Sequence, residues 1–474
     1  MKSLNGTNST KVGYTVGLIF TVLLGIGSVV FYQERMLFID PAFITFEIIN
    51  SGWFVFSEHR YGAWVTQMFP LIGSKLGLSL KSILIGYSMS FYLFYLAVIY
   101  VSGHVLKQYK YAILFCLYLT LMASDVYFWP NNEVHQAVGW MTLFISLWAW
   151  MVSKPRMTPL WMHGLMIGSL FFATISHLLI IIPLGFLWIY SNIDFVRRYK
   201  MVDNKTLIYS VLILVGIAFR YWMSSDSWYD GNKLDGVQNT SLDSLIDAAT
   251  GAQGKSFIKL LISRYWMLII VSLAGFYQLI SSQQFLKFGF VLLTSFVFYL
   301  LVTLTHTEAI TQRNLFYFES QWMVLSVILA TPFVMQVLPR FSKKLALVIM
   351  VLIFICQVPK FYQGYDKFSK RLNFIEMLAG NATHLSISKG YVLEPLDQDK
   401  LLMTWGLPIE TLLLTQIDDR YETTTIKNLN NVSQLTTSKD SIHTAFKLVE
   451  SQELNQDYFK IENEEYQPVL YFTK

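Results

Sequence analysis

Eleven runs of apolar residues, each interrupted only by short polar stretches, fill most of the first 358 positions of this chain. They are Val12 to Tyr32, Ser82 to Ser102, Tyr111 to Ala123, Ala137 to Ser153, Leu160 to Ile175, His177 to Ser191, Leu207 to Met223, Trp266 to Ser282, Phe288 to Thr305, Phe318 to Leu338 and Leu345 to Val358. Only 14% of the chain is charged, against about a quarter for a soluble domain. A soluble assembly is therefore excluded. The reading is an all-α polytopic membrane protein with about eleven transmembrane helices, give or take one or two, because several runs fall short of the ~20 residues a perpendicular helix needs. The first run is too long for a signal-peptide core and leads straight into Gln33, Glu34 and Arg35, so it is read as an uncleaved span. A net charge of +5, scattered along the chain, argues against nucleic acid as a partner. Cys116 and Cys356 lie inside apolar runs, which implies neither a disulfide nor a zinc site.

Loop charge gives an orientation. Lys107, Lys110, Lys154, Arg156, Arg197, Arg198, Lys200, Lys205, Lys287, Arg340, Lys343 and Lys344 fall on one side with the N-terminus, and the opposite short loops contain Arg313 alone. Cytoplasmic loops carry the Lys and Arg excess, so the N-terminus is expected in the cytoplasm and the C-terminus outside, in a cytoplasmic (inner) or ER-like membrane. The chain then divides into a membrane domain, 1–358, and an extracytoplasmic C-terminal domain, 359–474, expected to be a small α/β cap. An outer loop of about fifty residues, Gln33 to Lys81, carries amphipathic helices, of which Phe43 to Phe54 should lie on the membrane surface. No internal repeat is present, which weakens a transporter reading.

Ionisable groups in or near a membrane are costly and are functional candidates for that reason, although many only satisfy one another. Asp40 follows the first span by eight residues and precedes Pro41; it is either a carboxylate held at the membrane surface or an ordinary helix N-cap. Glu58, His59 and Arg60 form a charged knot among aromatic residues, either functional or a solvated turn. Asp125, Glu133 and His135 crowd the second outer loop as a second acidic site or as capping residues; their spacing matches no dedicated metal motif. Arg220, near the outer end of its span, either meets an anion or snorkels. Arg313, in a short loop with His306 and Glu308, either meets an anion or pairs with Glu308. His177, at a turn between two spans, is a ligand or a satisfied structural residue.

This arrangement resembles the GT-C superfamily of integral-membrane glycosyltransferases. The likeness is architectural and covers the chain from the first span to the C-terminal domain; its most specific element is Asp40 in a long first outer loop, followed by the Phe43 to Phe54 helix and by His59-Arg60 ahead of the second span. The chain departs from the family in having Asp40-Pro41 where many members have Asp-Glu, and His59-Arg60-Tyr61-Gly62 where they have a basic residue followed by Pro-Pro-Leu. The resemblance implies a sugar transferred, with inversion, from a polyprenyl-phosphate-linked donor to a glycan, lipid or protein acceptor on the extracytoplasmic face, beside membrane lipid. It implies Asp40 as base, and His59, Arg60, His177, Arg220 and Arg313 around the donor phosphate. Asp125, Glu133 or His135 corresponds in position to an acidic loop that binds metal in some members, and a divalent metal is left open. The rival readings are a transporter or flippase of lipid-linked substrates and a polysaccharide polymerase or ligase.

Overall fold

Each of the eleven apolar runs is built around a helix in the computed structural model, which describes residues 2–154, 159–199, 204–238, 240–306, 308–393, 398–431, 435, 439–444 and 446–469. Arg156 and Lys200 lie outside the described residues. Six helices are long and apolar enough to cross a membrane: Asn8–Val30, Leu80–Val105, Glu133–Ser153, Asn204–Ser225, Phe285–Thr305 and Lys343–His384. Two bent pairs, Asp243–Ser263 with Trp266–Ser281 and Leu315–Trp322 with Val324–Arg340, raise the number to eight if each is one span. The other three expected spans are the shorter helices Tyr109–Leu121, Leu160–Ser176 and Leu178–Ile193. The number of clear spans is thus below eleven. The reason is length: a 13-residue helix such as Tyr109–Leu121 rises only about 20 Å, short of the ~30 Å hydrocarbon core.

Helix ends follow local chemistry. Ser79, Asn132 and Ser342 cap the helices beginning at Leu80, Glu133 and Lys343, each side-chain oxygen accepting a backbone N–H of the first turn. The first helix, Lys2–Val30, packs one face on Leu80–Tyr100, Tyr109–Leu121 and Lys343–Ile355 and leaves Ile19, Leu23 and Ile26 exposed on the other. At the periphery Leu207, Val211, Leu214 and Trp222 are exposed along Asn204–Ser225. Their spacing is that of one helix face, and an apolar face of that extent is stable against lipid rather than water. The 83° break in the Asp243–Ser281 pair falls at Arg264 and Tyr265. Both side chains there are held by acids of other elements, Arg264 by Asp125 at 2.9 Å and Tyr265 by Glu319 at 2.5 Å.

After the last apolar run the helix Val358–His384 carries the chain into an α/β unit. Its strands are β1 (Lys389–Leu393), β2 (Thr425–Leu429), β3 (Ser441–His443), β4 (Leu448–Glu450) and β5 (Gln467–Pro468). β1 is central and parallel to both β2 and β5, with Lys389 opposite Thr425, and the helix Leu407–Ile417 makes the crossover from β1 to β2. β3 and β4 form a separate antiparallel pair, Ser441 opposite Glu450.

This unit sits on the first outer loop. The helix Ile39–Ser51 buries Phe46, Ile48 and Ile49; Phe46 meets Phe459 with ring centroids 5.1 Å apart, and Asn455 donates to Asn50 Oδ1 at 2.8 Å and to the Ile49 carbonyl at 3.0 Å. The expectation that this helix lies open on the membrane is corrected: its apolar face is covered by the C-terminal unit. The apolar surface left open is farther along, on Phe69, Ile72, Leu76 and Leu78.

Candidate active site

Asp40 is not the helix cap that Asp-Pro suggests. The N-cap position of Ile39–Ser51 is Phe38, with no side-chain cap bond, and Asp40 stands in the first turn. Its Oδ2 instead accepts the Trp129 indole N–H at 2.8 Å. The backbone in front of it is constrained: Ile39 has φ +24°, a region a β-branched residue avoids. Three contacts hold that conformation. The Ile39 N–H donates to Glu410 Oε1 at 2.6 Å, Arg371 donates to the Leu37 carbonyl at 2.9 Å, and Arg371 pairs with Glu410. Gly406 allows the approach, since a Cβ there would stand 2.9 Å from Ile39 Cα. Asp40 is half-buried, open only toward a cavity. Burial pushes its carboxyl up to about 6; the Trp129 hydrogen bond opposes this, Glu133 adds to it and Arg60 opposes it.

The cavity has a volume of about 540 Å³ and gathers residues from nine separate stretches of chain, among them Asp40, Arg60, Glu133, His177, Lys233 and His306. Arg60 comes from a turn in which Glu58 and His59 are both left-handed, φ +53° and +55°. That turn is fastened to the helix Trp228–Gln238: Ser227 Oγ and the Tyr229 N–H both donate to Glu58 Oε2. Gly62 follows it, and a Cβ there would overlap the Ser176 side chain, so glycine lets this segment close against the end of Leu160–Ser176. The guanidinium of Arg60 bridges Glu133 at 3.2 Å and Asp230 at 2.9 Å, and Asp230 also takes Arg220 at 2.8 Å. Burial disfavours the Arg60 charge, but Glu133 and Asp230 more than offset this and hold it protonated.

Lys233 is differently placed. Its ammonium donates to the hydroxyls of Tyr229 (2.7 Å) and Tyr317 (3.0 Å) and lies 2.9 Å from His306 Nε2. Among the described residues no carboxylate forms an ion pair with it. Burial lowers its pKa to about 8, helped by the Arg60 charge and opposed by Asp230. Burial and the neighbouring Lys233 charge lower His306 to about 3, so the imidazole is neutral beside the ammonium. Lys233 is therefore a cation held by neutral groups at the wall of a cavity, the disposition that favours an arriving anion.

The remaining candidates are dispersed. His177 lines the cavity, its Nδ1 accepting the Leu179 N–H at 3.1 Å. His59 is exposed and off the cavity wall; its Nδ1 meets the Tyr61 hydroxyl at 3.3 Å and its carbonyl accepts from Arg220 at 3.2 Å. Arg220 is fully buried behind Asp230, and Arg313 is exposed outside the lining, so neither faces the space that Asp40 faces. The second acidic loop separates into three environments. Glu133 joins Arg60, Asp125 pairs with Arg264 and Lys367 on another face, and His135 Nδ1 meets the Tyr118 hydroxyl at 2.7 Å inside the bundle. They form no common ligand set, and no group of three or more His, Cys, Asp or Glu among the described residues is arranged to hold a metal ion.

Sequence reasoning passed over Lys233, Asp230 and Trp129. Tyr229 and Lys233 are four residues apart on one helix, Asp230 and Lys233 three apart, spacings that put them on neighbouring positions of one face; that was the available signal. Comparison of the chain with protein-family models, with curated proteins and with solved structures finds no match.

Proposed function

We propose that this chain is a membrane glycosyltransferase that moves a sugar from a polyprenyl-phosphate-linked donor to an acceptor, with inversion, at the extracytoplasmic face. The observation that carries the reading is one cavity with Asp40, its carboxyl raised to about 6, in one wall and the ammonium of Lys233, ion-paired with no carboxylate among the described residues, in another. A base near neutrality and a lone cation are what a single displacement at an anomeric carbon requires. An acceptor hydroxyl attacks that carbon as Asp40 takes its proton. The bond from the carbon to the phosphate oxygen breaks, the electron pair leaves with the phosphate, and Lys233 with the Tyr229 and Tyr317 hydroxyls neutralises the charge left there. Arg60, bound by two acids, positions Asp230 and Glu133 more than it binds the donor.

This reading takes the shorter apolar helices as additional crossings, about eleven in all, with a cytoplasmic N-terminus and a C-terminal unit outside, in an inner or ER-like membrane. A polymerase or ligase shares the chemistry and differs in acceptor; a transporter or flippase would use such a carboxyl to carry protons and would release its substrate unchanged. The test is Asp40→Asn in purified protein supplied with polyprenyl-phosphate sugars. Transfer should fall at least about a hundredfold, the lower end of what general-base catalysis contributes, with folding intact by thermal melt. Turnover at the wild-type rate in Asp40→Asn removes Asp40 from the chemistry and with it this assignment.

A further inference from the structure

The wall of the cavity made by the C-terminal unit is aromatic. Phe43 stands three residues after Asp40 on the helix Ile39–Ser51, so the two side chains are neighbours on one helix face. Around Phe43 two rings arrive from the C-terminal unit. Trp405, from the segment before Leu407–Ile417, lies with its ring centroid 6.2 Å away, and Phe446, from the β3–β4 turn, lies 5.3 Å away; Trp405 and Phe446 are themselves 5.1 Å apart. All three line the same cavity as Asp40.

Phe446 is 72% exposed, which a ring serving only the core would not be. Its turn is nevertheless fixed. Thr444 and Lys447 close on each other through a 2.9 Å backbone bond, and Lys447 reaches Glu47, one helical turn beyond Phe43, at 3.2 Å. A loop bolted to the helix that carries Asp40 thus presents an uncovered ring into the cavity mouth.

The rest of the lining decides what such rings hold. Asn131, whose buried Oδ1 has no hydrogen-bond partner, and Ser57 supply hydrogen-bonding groups in the same space, while aliphatic contacts come from Ile39 and Ile44 on the Asp40 helix as well as from Leu178, Leu179, Val237 and Leu301. Flat aromatic faces beside amide, hydroxyl and carboxylate groups fit a pyranose ring, whose C–H face stacks on the ring while its hydroxyls bond around the edge. A lipid tail would leave the Asn131 carbonyl oxygen unpaired.

We infer that Phe43, Trp405 and Phe446 form a saccharide subsite, one helical turn from Asp40, through which the C-terminal unit selects a carbohydrate acceptor. This rests on the glycosyltransferase reading of the cavity and narrows its acceptor from glycan, lipid or protein to glycan. The side of the cavity beside Lys233 is then left for the donor.

The experiment uses the full chain in lipid nanodiscs, free of sugar-headed detergent, with maltose, lactose and cellobiose as neutral probes read by saturation-transfer NMR. Wild type should bind at least one of them, and Asp40→Asn should bind it equally well, which separates this site from the chemistry. Phe446→Ala and Trp405→Ala should each weaken binding about tenfold, and Phe446→Tyr should restore it. Because Phe446 is exposed, its truncation should leave the melt unchanged. With donor and acceptor supplied, the same alanine variants should raise the acceptor KM and leave the donor KM alone. Absence of any saccharide binding by wild type, or equal binding by Phe446→Ala and Trp405→Ala, overturns the subsite. Loss of turnover dependence on Asp40 with saccharide binding intact overturns only the function on which it rests.

Discussion

Asp40 and Lys233 titrate in the range where activity is ordinarily measured, and opposite protonation states are needed of them. The transfer we propose requires Asp40 deprotonated, so its rate should rise as pH passes through about 6; it requires Lys233 protonated, so its rate should fall as pH passes through about 8. A bell-shaped kcat/KM profile with those limbs is the expected result. Lys233→Arg should move the alkaline limb upward, because guanidinium stays charged. An alkaline limb unmoved by that change would assign it to another group. Asp40 was legible because an acid just past a span, followed by Pro41, is conspicuous in an apolar chain. Lys233 was not: it lies in a soluble-looking helix where lysine is ordinary, and only the fold shows that its neighbours are Tyr229, Tyr317 and His306. Arg220 and Arg313 misled for the converse reason, since a charge near a span can be satisfied by an acid elsewhere in the chain, as Asp230 satisfies Arg220.

The helix Ile39–Ser51 owes its position to elements remote in sequence. Arg371 on Val358–His384 and Glu410 on Leu407–Ile417 form a buried pair that grips the backbone on both sides of Phe38. Glu410→Ala leaves the Arg371 guanidinium without its counter-charge and the Ile39 N–H without its acceptor. Removing one partner of a buried pair costs about 3–5 kcal/mol, and a loss of that size in the unfolding free energy from chemical denaturation is expected. Replacing both, Arg371→Met with Glu410→Gln, should recover most of it, because no charge is then stranded and a carbonyl remains for Ile39. Equal loss in the single and double variants would remove the stranded charge as the cause. Sequence periodicity found the amphipathic helix but laid it on the membrane, because an apolar helix face reads the same whether lipid or a folded unit covers it. The covering residues, Phe459 and Asn455, are about four hundred positions away.

Across the whole molecule, the layers are a helix bundle with exposed apolar flanks, a level holding Asp40 and the Trp228–Gln238 helix, and an α/β unit against it. Apolar runs reveal the first layer well, and the short helices Leu160–Ser176 and Leu178–Ile193 show where run length stops indicating a crossing. How the layers close around one cavity depends on pairings such as Glu58 with Ser227, which composition does not encode. A ligand held between layers stabilises the folded chain as a whole, by about 2.7 kcal/mol at a hundredfold excess over its dissociation constant. Polyprenyl monophosphate, the product that would leave its phosphate at Lys233, should therefore raise the melting temperature of the full chain in nanodiscs. Asp40→Asn should keep that rise, since the base makes no contact that the phosphate needs. Lys233→Ala should lose most of it, since the Tyr229 and Tyr317 hydroxyls alone do not neutralise the charge. A full rise in Lys233→Ala would place the phosphate elsewhere, and Arg60, freed of neither Glu133 nor Asp230, could not take it without one of those acids turning away.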